Sequence, residues 1–133
     1  MTLVRGVLDV GIVVSDLDHA LAIYRDALEL PVAARMDVPG VGELVALEAG
    51  RSRLRLVRLT DPPPHQVVPG GVRGGASGIR YVGLEVTDLA ARHAACTRAG
   101  ATTVMPPTTI GPTLVCTLAD PDGTCIELME RLP

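Results

Sequence analysis

Val10-Gly11-Ile12-Val13-Val14-Ser15-Asp16-Leu17 recurs later in the chain as Val82-Gly83-Leu84-Glu85-Val86-Thr87-Asp88-Leu89. The separation that aligns these stretches also places Leu54-Arg55-Leu56 on Ile126-Glu127-Leu128. Two landmarks at opposite ends of a half share one spacing, so the halves have similar internal layouts. In the first half, Val7 to Val14 is rich in β-branched residues and reads as a strand. Ser15-Asp16 offers an N-cap to the helix that follows. Leu17, Leu21, Tyr24 and Leu28 recur at helical spacing until Pro31 stops the pattern. Val32 to Val38, Glu43 to Leu47 and Ser52 to Leu59 read as strands, with turns at Pro39-Gly40 and Ala49-Gly50. The second half repeats the order. Ile79 to Val86 is a strand, and Asp88 to Ala99 a helix ended by Gly100. Strands follow near Thr102 to Met105, Thr113 to Leu118 and Thr124 to Glu130, with Asp120-Pro121-Asp122-Gly123 turning the last pair. The expectation is an α+β chain of two tandem βαβββ modules, residues 1–59 and 79–133, forming one structural domain.

Thr60 to Gly78 joins the modules. It holds Pro62-Pro63-Pro64 and five glycines. Such a length without periodicity is unusual inside a compact domain. It reads either as a plain linker or as a flap over a site.

The 133 residues are 47% apolar, which suffices for a core and excludes wholesale disorder. A net charge of −3 excludes a basic footprint for nucleic acid or an anionic membrane. No apolar run is long enough to span a bilayer. The start, Met1-Thr2-Leu3-Val4-Arg5, lacks the pattern of a secretory leader, so a soluble cytoplasmic protein is expected. All 12 basic residues are Arg, which removes any Schiff-base lysine. Tyr24 and Tyr81 are the whole aromatic complement. Cys96, Cys116 and Cys125 are odd in number and show no Cys-x-x-Cys spacing, so they read as core or cavity thiols.

Alternation along the strands sorts the side chains onto two faces. Val10, Ile12, Val14, Val82, Leu84, Val86, Leu54, Leu56, Ile126 and Leu128 form the apolar set that carries the helices. The opposite set collects Asp9, Arg53, Arg55, Tyr81, Glu85, Cys125 and Glu127, with Gly11 and Gly83 keeping its floor open. That face is either a solvated outer sheet surface or the lining of a polar cavity.

Paired βαβββ modules with these motifs resemble the vicinal oxygen chelate superfamily, which includes glyoxalase I, bleomycin-resistance proteins and extradiol dioxygenases. The resemblance is carried by Leu8 to Leu17, by Tyr24-Arg25-Asp26-Ala27-Leu28-Glu29-Leu30 and above all by Asp120-Pro121-Asp122-Gly123-Thr124-Cys125-Ile126-Glu127-Leu128. It covers nearly the whole chain. It implies curved mixed sheets around a cavity, but no single activity, because the fold hosts many chemistries. In metal-dependent relatives the first and last strands of each module supply His or Glu ligands. Carried over, those positions are Asp9, Arg55, Tyr81 and Glu127, and only Glu127 keeps the usual type. Arg55 has no lone pair to give and repels a divalent cation; it is expected to pair with Asp9 or Glu127. His19, His65 and His93 fall elsewhere.

The resemblance therefore implies a metal-free protein without a cofactor that binds a small molecule, in resistance or secondary metabolism. Asp9, Arg53, Arg55, Tyr81, Glu85, Cys125 and Glu127 are the candidate ligand contacts. A metal-independent enzyme, with Tyr81 and Glu127 as acid and base and Arg55 steadying an anion, is the alternative. A metal-dependent glyoxalase-, epimerase- or dioxygenase-like enzyme is opposed by Arg55. A homodimer is expected, because half-barrels leave edges and an open face that need a partner.

Overall fold

A computed structural model describes residue 3 and residues 7–133. Met1, Thr2, Val4, Arg5 and Gly6, on which the leader reading mostly rests, lie outside the described residues. The β-branched opening run forms β1 (Asp9–Val13), and the two later hairpin strands and their partner follow as β2 (Val32–Val38), β3 (Gly42–Ala49) and β4 (Ser52–Leu59). The second module gives β5 (Val82–Glu85), β6 (Thr102–Ile110), β7 (Thr113–Ala119) and β8 (Cys125–Arg131). Each module is one mixed sheet, ordered β1-β4-β3-β2 and β5-β8-β7-β6. The repeat extends to the register: Gly11 faces Arg55 in the parallel β1/β4 pair, and Gly83 faces Glu127 in β5/β8.

β6 runs on through Pro106-Pro107, beyond the end expected at Met105. It is an outer strand of its sheet, where a missing N–H is tolerated, and its pairing with β7 shifts between Met105 and Thr108 to accommodate the prolines.

The helices differ. α2 (Leu89–Arg98) is regular and closes at Gly100, which adopts φ +109°. Its first N–H, on Leu89, donates to the Glu130 carboxylate at 2.8 Å. The first module's helix starts as α1 (Leu17–Leu21), capped by Asp16 Oδ1, which accepts from the His19 N–H at 2.9 Å. It then widens into a π-helical segment, Ala22–Ala27. The wider turn carries Ile23 inward beside Tyr24, so both are fully buried, whereas uniform helical spacing picks out Tyr24 alone. Leu30 N–H closes the end on the Tyr24 carbonyl, with Glu29 left-handed at φ 59°.

One buried cluster spans both modules. Leu17, Leu21 and Tyr24 of the first share it with Leu89, Cys96 and Leu118 of the second. Polar ties reinforce the packing. Tyr24 Oη donates to Asp120 Oδ2 at 2.9 Å, and the same carboxylate's Oδ1 accepts from the N–H groups of Asp122 and Thr124 at 3.0 Å each. Arg92 Nη1 donates to the Ala27 carbonyl at 2.8 Å, at the end of the π-helical segment, and sits 3.1 Å from Glu29. Its Nε lies 3.3 Å from Asp88 Oδ2, a charge contact rather than an aligned hydrogen bond. No helix among the described residues is long and apolar enough to cross a membrane.

Candidate functional site

The alternation read from sequence holds for most of the set: Ile12, Leu54, Leu56, Ile126 and Leu128 are buried, while Asp9, Gly11, Tyr81, Gly83 and Glu85 face outward; Cys125, expected outward, is buried under the Gly71 turn. The main cavity does not sit over the middle of that outward face. It is a cleft of about 710 Å³ along the seam between the modules, bounded by β1, by the start of β5 and by the proline-rich connection.

Consecutive residues Val10 to Ser15 line it, so the cleft runs against the outer edge of β1 as well as its faces. Opposite stand Ile79, Arg80, Tyr81 and Val82, with Asp122, Thr124 and Cys125 from the turn into β8. Arg58, Leu59, Thr60, Pro62, Pro63, His65, Gln66 and Val67 complete the wall. The Thr60 to Gly78 segment is thus part of the site. Its later half is pinned by Arg80, whose Nε donates to the Gly71 carbonyl at 2.9 Å and whose Nη2 donates to the Val68 carbonyl at 2.7 Å. Gly71 lies in a short 3-10 turn, Gly71–Arg73, that covers Cys125 and Thr117.

Of the seven candidate contacts, Tyr81 and Cys125 line the cleft. Asp9 and Arg55 lie outside it and bind each other: Arg55 Nε is 2.9 and 3.1 Å from the two carboxylate oxygens. Glu85 lies outside it too and pairs with Arg131 at 3.1 Å on the surface. Arg53 and Glu127 are half-buried on the outward faces of β4 and β8, away from the cleft wall. Residues that sequence reasoning passed over, Arg58, Arg80, His65 and Asp122, form its polar lining. The long unpatterned segment signalled His65, and the Asp120-Pro121-Asp122-Gly123 turn signalled Asp122; Arg58 and Arg80 sat in expected strands without being read as site residues.

The thiols are electrostatically quiet. Burial pushes Cys96 up to about 11, and it raises Cys116 and Cys125 as well. Burial also raises Asp120, against the lowering effect of its Tyr24, Thr124 and Asp122 hydrogen bonds. Tyr24 stands well above its ordinary value, through burial first and the neighbouring Asp120 carboxylate second.

The donor set does not fit a divalent metal. The fold's four usual ligand positions hold a carboxylate already bound to a guanidinium, that guanidinium, a tyrosine and one glutamate. Among the described residues, no group of three or more His, Cys, Asp or Glu is placed to hold a metal ion.

The family described as Glyoxalase/Bleomycin resistance protein/Dioxygenase superfamily matches residues 6–128. No curated protein matches the sequence significantly. Among solved structures, a glyoxalase family protein from Bacillus cereus superposes with a TM-score of 0.83 at 24% identity, covering 100% of this chain and 97% of that one. TnmS3, an antibiotic binding protein from Streptomyces sp. CB03234, gives 0.71 at 19% identity, over 98% and 99%. TioX from Micromonospora sp. ML1 gives 0.66 at 20% identity, over 96% and 100%. At these identities the structures establish a shared fold.

Proposed function

The chain belongs to the Glyoxalase/Bleomycin resistance protein/Dioxygenase superfamily, and on that footing we propose that it binds a small organic molecule, without a metal, in the cleft between β1 and β5. The observation that carries this reading is the cleft itself: about 710 Å³, walled by aliphatic side chains with a few polar groups. An antibiotic binding protein among the structural neighbours supports it. Arg55 on Asp9, where metal-dependent relatives place ligands, supports the metal-free part. The acid–base alternative is less favoured, because Tyr81 lines the cleft while Glu127 does not.

A small-molecule library screened by thermal shift tests the proposal. A cleft ligand at ~100 times its Kd stabilises the protein by about 2.7 kcal/mol. Val13→Trp, which fills the cleft from β1, abolishes that gain for each hit. Hits that survive Val13→Trp unchanged refute the site. One equivalent of zinc, nickel, iron or manganese per chain after purification refutes the metal-free part.

The proposal includes a homodimer in a reducing compartment. The outer strands β2 and β6 expose Val32, Met36, Val104 and Ile110, an apolar edge set that a second copy would cover. Cys96, Cys116 and Cys125 are unpaired thiols, as a cytoplasmic protein keeps them. Light scattering at micromolar concentration reads the assembly: a mass of one 13.9 kDa chain refutes the dimer.

A further inference from the structure

Resting on the binding reading above, we infer that the free edge of β1 is the main polar recognition element of the cleft, and that it selects small molecules carrying an extended secondary-amide segment. The parity of the ladder fixes which backbone groups are free. Arg53 N–H bonds the Leu8 carbonyl, and Val14 N–H bonds the Val57 carbonyl, at the two ends of the parallel β1/β4 pair. In a parallel pair, alternate residues turn both N–H and C=O toward the neighbouring strand. Leu8, Val10, Ile12 and Val14 therefore face β4, and Gly11 and Val13 turn the other way. Ser15 shows where that direction leads: its N–H crosses the seam and donates to Asp122 Oδ2 at 2.9 Å.

The second module repeats the pattern. Val86 N–H bonds the Met129 carbonyl, so Val82 and Leu84 face β8, while Tyr81 and Gly83 turn away from it. Among the described residues, β1 and β5 are terminal strands of separate sheets, with no ladder between them. Gly11, Val13 and Tyr81 all line the cleft.

An extended chain of amides matches this edge. It presents an N–H and a C=O every second unit, about 6.6 Å apart, the repeat at which Gly11 and Val13 present theirs. A ligand that covers these groups without bonding them leaves donors and acceptors desolvated, so the edge discriminates against molecules lacking the pair. Open space surrounds the position of a Cβ on Gly11, which lets a ligand backbone approach. Val13, Leu59, Val67 and Ile79 supply apolar surface for its side groups.

Amide hydrogen exchange by NMR tests the inference on the intact chain, with three probes. These are N-acetyl-valyl-valine N-methylamide, its analogue methylated on the valine nitrogens, and menthol, which has no amide. In the free protein, Gly11 and Val13 exchange fast while Val10, Ile12 and Val14 are protected. The amide probe slows Gly11 and Val13 by about tenfold or more, and the N-methylated analogue does not. Gly11 and Val13 already as protected as Ile12 in the free protein would mean that strand pairing closes the seam, and would overturn the inference. Equal perturbation of the cleft by the amide probe and its N-methylated analogue overturns it too, as does perturbation by menthol alone; both leave the binding reading standing. If none of the three perturbs the cleft, the inference falls, and the library screen alone decides the binding reading.

Discussion

Tyr24→Phe removes one hydroxyl and leaves the ring that fills the core. The lost contact is the 2.9 Å bond from Tyr24 Oη to Asp120 Oδ2, between the first module's helix and the turn of the second. Asp120 is only 4% exposed, so no water replaces the donor. Hydrogen bonds to charged groups contribute roughly 1.5–3 kcal/mol, and the stranded oxygen puts the expected cost near 2 kcal/mol at neutral pH. With an unfolding entropy of about 2.1 cal/mol/K per residue, that lowers Tm by about 7 °C.

The pH dependence sharpens the test. Burial holds Asp120 above its ordinary value, so the folded protein keeps this proton to higher pH than the unfolded chain. The stability from this group is therefore fully present below the ordinary carboxylate value and is lost as pH rises through the raised one. Tyr24 favours the ionised form, so Tyr24→Phe raises the Asp120 value further and widens that window upward. The penalty of the substitution is largest above the window and shrinks as pH falls through it. Asp120→Asn, which keeps an oxygen for the two turn N–H groups, removes this pH dependence. Calorimetric melts across pH 3 to 8, with carboxyl NMR on Asp120, measure both effects. A Tyr24→Phe Tm within about 1 °C of the parent at pH 7, or a penalty that does not change with pH, refutes the reasoning.

The Asp9–Arg55 pair is half in water, with side-chain exposures of 51% and 40%. Arg55→Ala therefore costs less than about 1 kcal/mol by urea unfolding, and a larger loss would mean the pair is buried in an assembly. Arg80→Met frees the connection it pins at Val68 and Gly71, so trypsin cuts after Arg73 several-fold faster while Tm falls little; unchanged cleavage contradicts the pinning. Cys96 and Cys116 are buried away from the cleft with raised thiol values, so they label with a disulfide reagent at pH 8 only as fast as the protein opens. Prompt modification of either contradicts the packing.

The two-module layout was legible because alternation and turn residues are local signals. Val10, Ile12 and Val14 alternate with outward residues, and Gly40, Gly50 and Gly123 take the positive φ that their turns require. The repeat read from two landmarks reappears as the matched Gly11–Arg55 and Gly83–Glu127 registers. The π-helical segment was not legible, since Ile23 and Tyr24 are both buried only when the turn widens. The cleft was half legible. Side-chain parity says which face a residue occupies, and it found Tyr81 and Cys125. It put Gly11 on the open floor but says nothing about which edge of a strand lies open, so the backbone edge at Gly11 and Val13 stayed hidden. The polar residues of the connection were missed because an unpatterned segment carries no period to place them.

The sharing of one core between the halves has a consequence for biosynthesis. Tyr24 waits for Asp120, and the Ala27 carbonyl waits for Arg92. A nascent chain that has emerged only as far as the prolines has its first helix and the sheet beneath it, but not Leu89, Cys96 and Leu118, which complete the shared core. The βαβββ unit is thus a unit of architecture whose core is completed by its second copy. Part of its first copy's apolar surface stays uncovered until the second copy follows, and the contacts between the two are of the long-range kind that form slowly.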